Sequence, residues 1–171
     1  MVRVLLLAAI MLSGALATFG CRLSLEKEEQ ESDGVCKVNT TNAQCLEAPN
    51  HSELSWIEDN IFEKSCHFSG CHNGMATDAG RVNLIDGNSH SSLVGIASEI
   101  EPGRTLVVAN EPRQSYLLVM LRRFPPEMAD PPVGEPDEDV GYMPQDAGGA
   151  VLCCQKLEAI ERWIAAGAQN N

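Results

Sequence analysis

The sequence is poor in aromatic residues, which make up only 5% of its 171 residues. It is also poor in positive charge, with 12 lysines and arginines against 24 aspartates and glutamates and a net charge of −12. This balance argues against a nucleic-acid partner, which would need a basic surface. The G-x-S-x-G elbow, the P-loop and the H-E-x-x-H motif are all absent, so nothing in the sequence points to a hydrolase. With few rings, the core must depend on Leu, Val, Ile, Ala and Met, and a bulky apolar cofactor would supply missing packing.

Residues 1–20 have the pattern of a signal peptide, with Arg3, an apolar run and then small residues. Two cleavage sites compete. Residues 15–17 form an A-x-A site, whereas "TFGC" resembles the lipobox that leads to acylation of Cys21. We favour the lipoprotein, because a charged tether (21–50) follows at once. Either cleavage predicts an exported protein, and acylation predicts a periplasmic or outer-membrane-anchored lipoprotein that contacts the membrane through its N-terminal lipid.

The cysteine count supports this interpretation. Of seven cysteines, removing the acylated Cys21 leaves an even set of six. Outside the cytoplasm, paired cysteines oxidise unless another group claims them. Cys36 and Cys45 are predicted to close a small disulfide loop within the tether. Pairing of these two with Cys153 or Cys154 is the main alternative.

Residues 51–171 are predicted to form one all-α domain. Ser55 and Glu58 fit a capping box at the start of a helix that runs into Cys66. A short helix is expected from Asn88, and "RTLVVAN" could be extended. A further helix follows Asn110 as N-cap and stops at Pro125. A proline-, glycine- and acid-rich loop then precedes a strong closing helix with Gly167 as its stop. Residues predicted to line the buried faces are Leu54, Ile57, Ile61, Leu117, Met120, Leu121, Leu157, Ile160, Trp163 and Ile164.

The stretch "KSCHFSGCHNG" contains the residues with the clearest chemistry. Covalent haem c needs two thiols for the porphyrin vinyl groups, a histidine beside the second thiol and a sixth ligand from a distant loop. Cys66, Cys71 and His72 supply the first two requirements, and Met143 in "GYMPQ" supplies the third. A Cys66–Cys71 disulfide is the first alternative. A metal site that adds His67 is the second, although the usual zinc spacings are absent.

These pieces resemble a class I cytochrome c, and more narrowly the planctomycete-type cytochrome c domains of exported bacterial proteins. The resemblance covers residues 52–168 and includes the cysteine–histidine motif, "RTLVVANEPRQSYLLVMLRR", the Met-Pro dipeptide and "RWIAAGA". It implies haem c on a helical fold whose first and last helices cross, with His72 as proximal and Met143 as distal iron ligand. The chain departs from the family in having four residues between the cysteines instead of two.

Met128, which shares the loop of Met143, is the main rival for the distal position, and His90 is a weaker one. Met120 is expected in the core, and Met75 lies too close to His72 along the chain. The sequence thus predicts an electron carrier with protein redox partners, which its acidic surface would favour if they are basic. An open sixth position would instead permit haem peroxidase-like activity. The alternative, from another class of function, is a lipoprotein module without haem that is stapled by disulfides and has a binding or structural role.

Overall fold

The structure is a computed structural model that describes residues 36–68, 71–74, 82–145 and 152–171. The predicted signal peptide, the acylation site Cys21 and Met75 lie outside the described residues. Within them the chain is helical, as predicted, and its β-bridges are isolated pairs that build no sheet. No helix in these four ranges is long and apolar enough to cross a membrane.

Three helices of the described residues have five residues each, whereas the second helix and the closing helix are longer. Helix α1 covers Ala43–Glu47 and continues as a 3-10 turn over Ala48–Asn50. Helix α2 (54–65) is α-helical over Leu54–Ile57, π-helical over Glu58–Phe62 and α-helical again over Glu63–Ser65. Helices α3, α4 and α5 cover Ser89–Leu93, Tyr116–Met120 and Cys154–Ala165, and 3-10 turns lie at Pro112–Gln114 and Pro126–Met128.

Helix α5 forms the centre of the core. Its predicted apolar face is buried, and Trp163 and Ile164 join Ile57 and Ile61 of α2 in one hydrophobic cluster. The helix packs against α1, α2 and α4. Gly167 ends it with a φ of 97°, a left-handed conformation that glycine adopts without steric cost, as the sequence predicted.

The start of α2 differs from the prediction. The helix begins at Leu54, and no side chain of the predicted capping box caps it. Instead, Asn171 caps it from the far end of the chain: its Oδ1 accepts from the Leu54 amide at 3.0 Å and its carbonyl accepts from the Ser55 amide at 2.8 Å. Glu58 is buried and accepts hydrogen bonds from the Ser89 hydroxyl and from the Gly87 amide. Tertiary partners have therefore replaced the local cap.

Helix α4 is shorter than predicted. It follows Ser115 and ends at Met120, whereas Asn110 is no N-cap but has a φ of 67° and donates its amide to the Ile164 carbonyl at 2.9 Å. The loop after α4 is held in place by Arg104. Arg104 donates to two of its carbonyls, those of Asp130 and Pro131.

The disulfides join distant parts of the chain. Cys36 pairs with Cys154 and Cys45 pairs with Cys153, so the predicted Cys36–Cys45 loop is wrong and the alternative pairing is confirmed. Both bonds fasten the segment around α1 to the start of α5. Residues 36–50, expected to be tether, are consequently folded against the closing helix.

Candidate functional site

Cys66 and Cys71 are free thiols at the end of α2. Cys66 is buried, with 9% of its surface exposed, whereas Cys71 is exposed. The Cys71 amide donates to the Phe68 carbonyl at 2.9 Å, and the His72 amide donates to the Cys66 carbonyl at 3.1 Å. The second of these hydrogen bonds brings His72 back to the end of the helix.

Burial controls the acidity of the first thiol. Desolvation raises the pKa of Cys66 to about 12, the neighbouring Cys71 adds to the rise, and the positive charge of Lys156 opposes it. Lys156 lies on α5, is itself buried, and donates its Nζ to the Asn60 carbonyl at 2.7 Å. Asn60 belongs to the π-helical turn of α2, a feature often found beside functional sites. Lys156 was not identified from the sequence, where it appears as one polar residue on an amphipathic helix.

The ring of His72 is oriented by a backbone contact. Its Nδ1 lies 3.2 Å from the Val82 carbonyl oxygen, and a carbonyl only accepts, so Nδ1 carries the proton in this hydrogen bond. Burial lowers the pKa of His72 and outweighs the opposite effect of the Val82 contact. The favoured state is a neutral imidazole whose Nε2 presents its lone pair, the form that binds metals.

Met143 lies against the core rather than free in its loop. Its side chain is half-buried and packs on the hydrophobic cluster that includes Cys66 and Met120. Its amide donates to the Met120 carbonyl at 2.9 Å, at the end of α4. Met143 and Cys66 therefore both contact the extended hydrophobic core of the molecule.

The rivals of Met143 have other surroundings. Met128 is 41% exposed in its 3-10 turn, and Met120 is buried within α4, as expected of a core residue. The Nε2 of His90 lies 3.0 Å from the Ala168 carbonyl oxygen and thus already has a partner.

The two alternatives for the motif have less structural support. Cys66 and Cys71 are not bonded to each other. Among the described residues, which include Cys66, His67, Cys71 and His72, no three Cys, His, Asp or Glu side chains are grouped to hold a metal ion. The Nδ1 of His67 is buried without a hydrogen-bond partner in the described part of the chain.

A surface depression of about 350 Å³ lies elsewhere, on the outer side of α5. Its charged lining is already paired, since Arg123 Nε donates to Glu161 Oε2 at 2.6 Å. It shares no lining residue with the cysteine–histidine motif and suggests no chemistry.

The residues present fit a haem c group in their donor set: two free thiols, one oriented imidazole and one thioether packed on the same core. Comparison of the chain with models of known families, with curated proteins and with solved structures found no match.

Proposed function

We propose that this protein is an exported monohaem c-type cytochrome, lipid-anchored at Cys21, that passes single electrons between redox protein partners. Cys66 and Cys71 bind the porphyrin through thioethers, His72 is the proximal ligand and Met143 is the distal ligand. When bound, the haem iron supplies the one-electron chemistry. The chain holds the ligands, shields the ring and sets the potential.

One observation carries the proposal. Four of the six cysteines in the described residues pair across the molecule, and the two that stay free are the two that precede His72. A thioether forms when a cysteine S–H adds across a vinyl group, so no atom leaves but both thiols must be free. The chain's own disulfides leave free the pair that haem attachment needs.

The orientation of His72 adds support. Metal-binding histidines usually donate their other ring nitrogen to a carbonyl or carboxylate, which fixes the tautomer and the ring plane. The Nδ1 contact with Val82 has this form. Met/His ligation is expected to give a relatively high reduction potential.

The haem-free module is the weaker candidate. It requires a Cys66–Cys71 disulfide as a staple, and the two thiols are unbonded in the structure. A peroxidase-like enzyme would require that Met143 does not bind the iron.

The first test is the absorption spectrum of protein purified from its native host, oxidised and then reduced, with the same sample run on a denaturing gel stained for haem. Sharp reduced bands and gel-stable haem are expected. A colourless protein whose Cys66 and Cys71 peptides are joined by a disulfide would refute the proposal in favour of the stapled module.

Substitutions then separate the two ligands. His72→Ala should abolish the normal haem environment, whereas Met143→Ala should leave the haem covalently attached and change its spectrum and potential. Met128→Ala is the matched control from the same loop and should change neither. An unaltered spectrum and potential in Met143→Ala would show that the distal assignment is wrong.

A further inference from the structure

Tyr142, the residue before Met143, is held from two sides. Its hydroxyl donates to Glu135 Oε2, and the guanidinium carbon of Arg122 lies 4.6 Å from the centre of its ring. The first contact is a hydrogen bond to a charged acceptor and the second is a cation–π interaction, and both are stronger than contacts between neutral groups. We call Tyr142, Glu135 and Arg122 the Tyr142 clasp.

The clasp joins the Met143 segment to the end of α4. Arg122 comes two residues after the last residue of that helix, and Glu135 comes from the middle of the loop. The Met143 amide is bonded to the Met120 carbonyl of the same helix at 2.9 Å. The thioether-bearing residue is thus flanked by one backbone contact and one side-chain clasp.

The backbone of Arg122 ends helix α4. Its φ of 60° lies in the left-handed region, which is unfavourable for a residue with a long side chain. The conformation is that of a Schellman motif, in which the Arg122 amide donates to the Val119 carbonyl at 2.9 Å and the Arg123 amide donates to the Leu118 carbonyl at 2.8 Å. In this conformation the Arg122 side chain reaches the ring of Tyr142.

The loop needs such a device. Residues 125–145 are rich in proline, glycine and acid, and within them the regular structure is one 3-10 turn, Pro126–Met128. Ordering an irregular segment costs conformational entropy at every residue, so a side chain in it keeps one position only if tertiary contacts repay that cost.

We propose that Tyr142, held by Glu135 and Arg122, is a positioning residue that keeps the Met143 thioether fixed against the core and so pre-sets the distal ligand. Its role toward the iron rests on the proposed function. The clasp itself is a property of the chain and can be tested without haem.

The experiment follows oxidation of methionine by hydrogen peroxide in the full chain, exported by a host that lacks the haem c attachment machinery. Sulfoxide formation is measured by peptide mass spectrometry at Met143, at exposed Met128 and at buried Met120. Tyr142→Leu is expected to raise the rate at Met143 about tenfold, as loss of a charge-assisted hydrogen bond and a cation–π contact implies, and to leave Met128 and Met120 unchanged.

Three further variants make the result specific. Tyr142→Phe keeps the ring under Arg122 and should give an intermediate rate. Arg122→Gly removes the cation and suits the left-handed backbone, so it should free Met143 without loss of thermal stability. Arg113→Leu removes the matching contact of Arg113 with Phe124, 4.5 Å from its ring centre, and should leave Met143 protected.

Wild-type rates at Met143 in both Tyr142→Leu and Arg122→Gly would overturn the inference, and so would equal acceleration at Met143 and Met128.

In the haem-loaded protein, Tyr142→Leu should also weaken the absorption band of the sulfur–ferric iron bond. If the protein carries haem but the clasp variants oxidise at Met143 no faster than the wild type, the positioning role of Tyr142 is refuted and the proposed function is not. If the clasp variants oxidise faster at Met143 but the protein never takes up haem, the proposed function is refuted and the positioning role of Tyr142 is not.

Discussion

Cys66 and Cys71 are chemically different although only four residues separate them along the chain. Cys66 is buried in the core cluster and Cys71 is exposed. The neutral form of Cys66 is favoured by its surroundings, since its pKa is raised to about 12 chiefly by desolvation. At the residue scale, therefore, the second thiol of the motif is open to reagents while the first is shielded.

This difference predicts a pH dependence for the protein in its thiol form. Below pH 9, the ordinary pKa of the thiol, Cys66 is neutral in both states and its burial has no ionisation penalty. Between pH 9 and about 12 the unfolded state loses the proton and the folded state keeps it, so stability falls as pH rises, by up to about 1.4 kcal/mol per pH unit. Urea unfolding at a series of pH values measures the slope.

Cys66→Ala is the control, because it removes the titrating group from the same buried position. The variant should show a smaller decline between pH 9 and 12 than the wild type. Equal slopes in the two proteins would mean that Cys66 ionises as freely in the folded state as in the unfolded one.

At the scale of elements, α2 is organised around its π-helical turn. The turn contains Asn60, whose carbonyl accepts from Lys156, and Glu58, whose carboxylate accepts from Ser89 and Gly87. Helix α2 is thereby joined to α5 on one side and to the start of α3 on the other, immediately before Cys66. The motif is therefore presented by a helix fixed in two directions.

Glu58→Ala should destabilise the protein by about 1–3 kcal/mol, because the Ser89 hydroxyl is fully buried and would lose its acceptor. The free energy of unfolding from urea titration measures this loss. Glu63→Ala removes an exposed carboxylate of the same helix, which forms a surface ion pair with Lys64, and should have little effect. Equal effects of the two substitutions would show that the Glu58 contacts contribute nothing specific.

At the scale of the whole molecule, the two disulfides together form a clamp that joins the segment around α1 to the start of α5. They span 118 and 108 residues and use neighbouring cysteines, so either one alone closes almost the same large loop. Once one is present, the second closes a ring of only about ten residues. Removing one disulfide from the intact protein therefore opens only the small ring, whereas removing the second one opens the large loop.

Loss of either disulfide alone, by paired Cys→Ser substitution, should cost about 3 kcal/mol, whereas loss of both should cost roughly 7 kcal/mol. Chemical denaturation of the two single-disulfide proteins and of the protein lacking both provides the comparison. A double loss no larger than a single loss would contradict the clamp.

Several features could be predicted from local pattern. The apolar period of residues 154–165 predicted the closing helix and its buried face, and Gly167 predicted its end, because both signals depend on neighbours within one or two turns. The prediction of α4 was less accurate, since Pro112–Gln114 form a 3-10 turn of their own before Ser115. The capping box at Ser55 failed because Ser89 and Gly87 compete for Glu58.

The sequence by itself determined the helical class, the closing helix and the order of the candidate ligands: Cys66, Cys71, His72 and then Met143. Only the tertiary structure decided that Cys36 and Cys45 pair with the start of α5, that Asn171 caps α2, and that Val82 orients His72. The reason is physical. Periodicity and capping signals arise between residues close along the chain, whereas these contacts depend on which distant segments the packed core brings together.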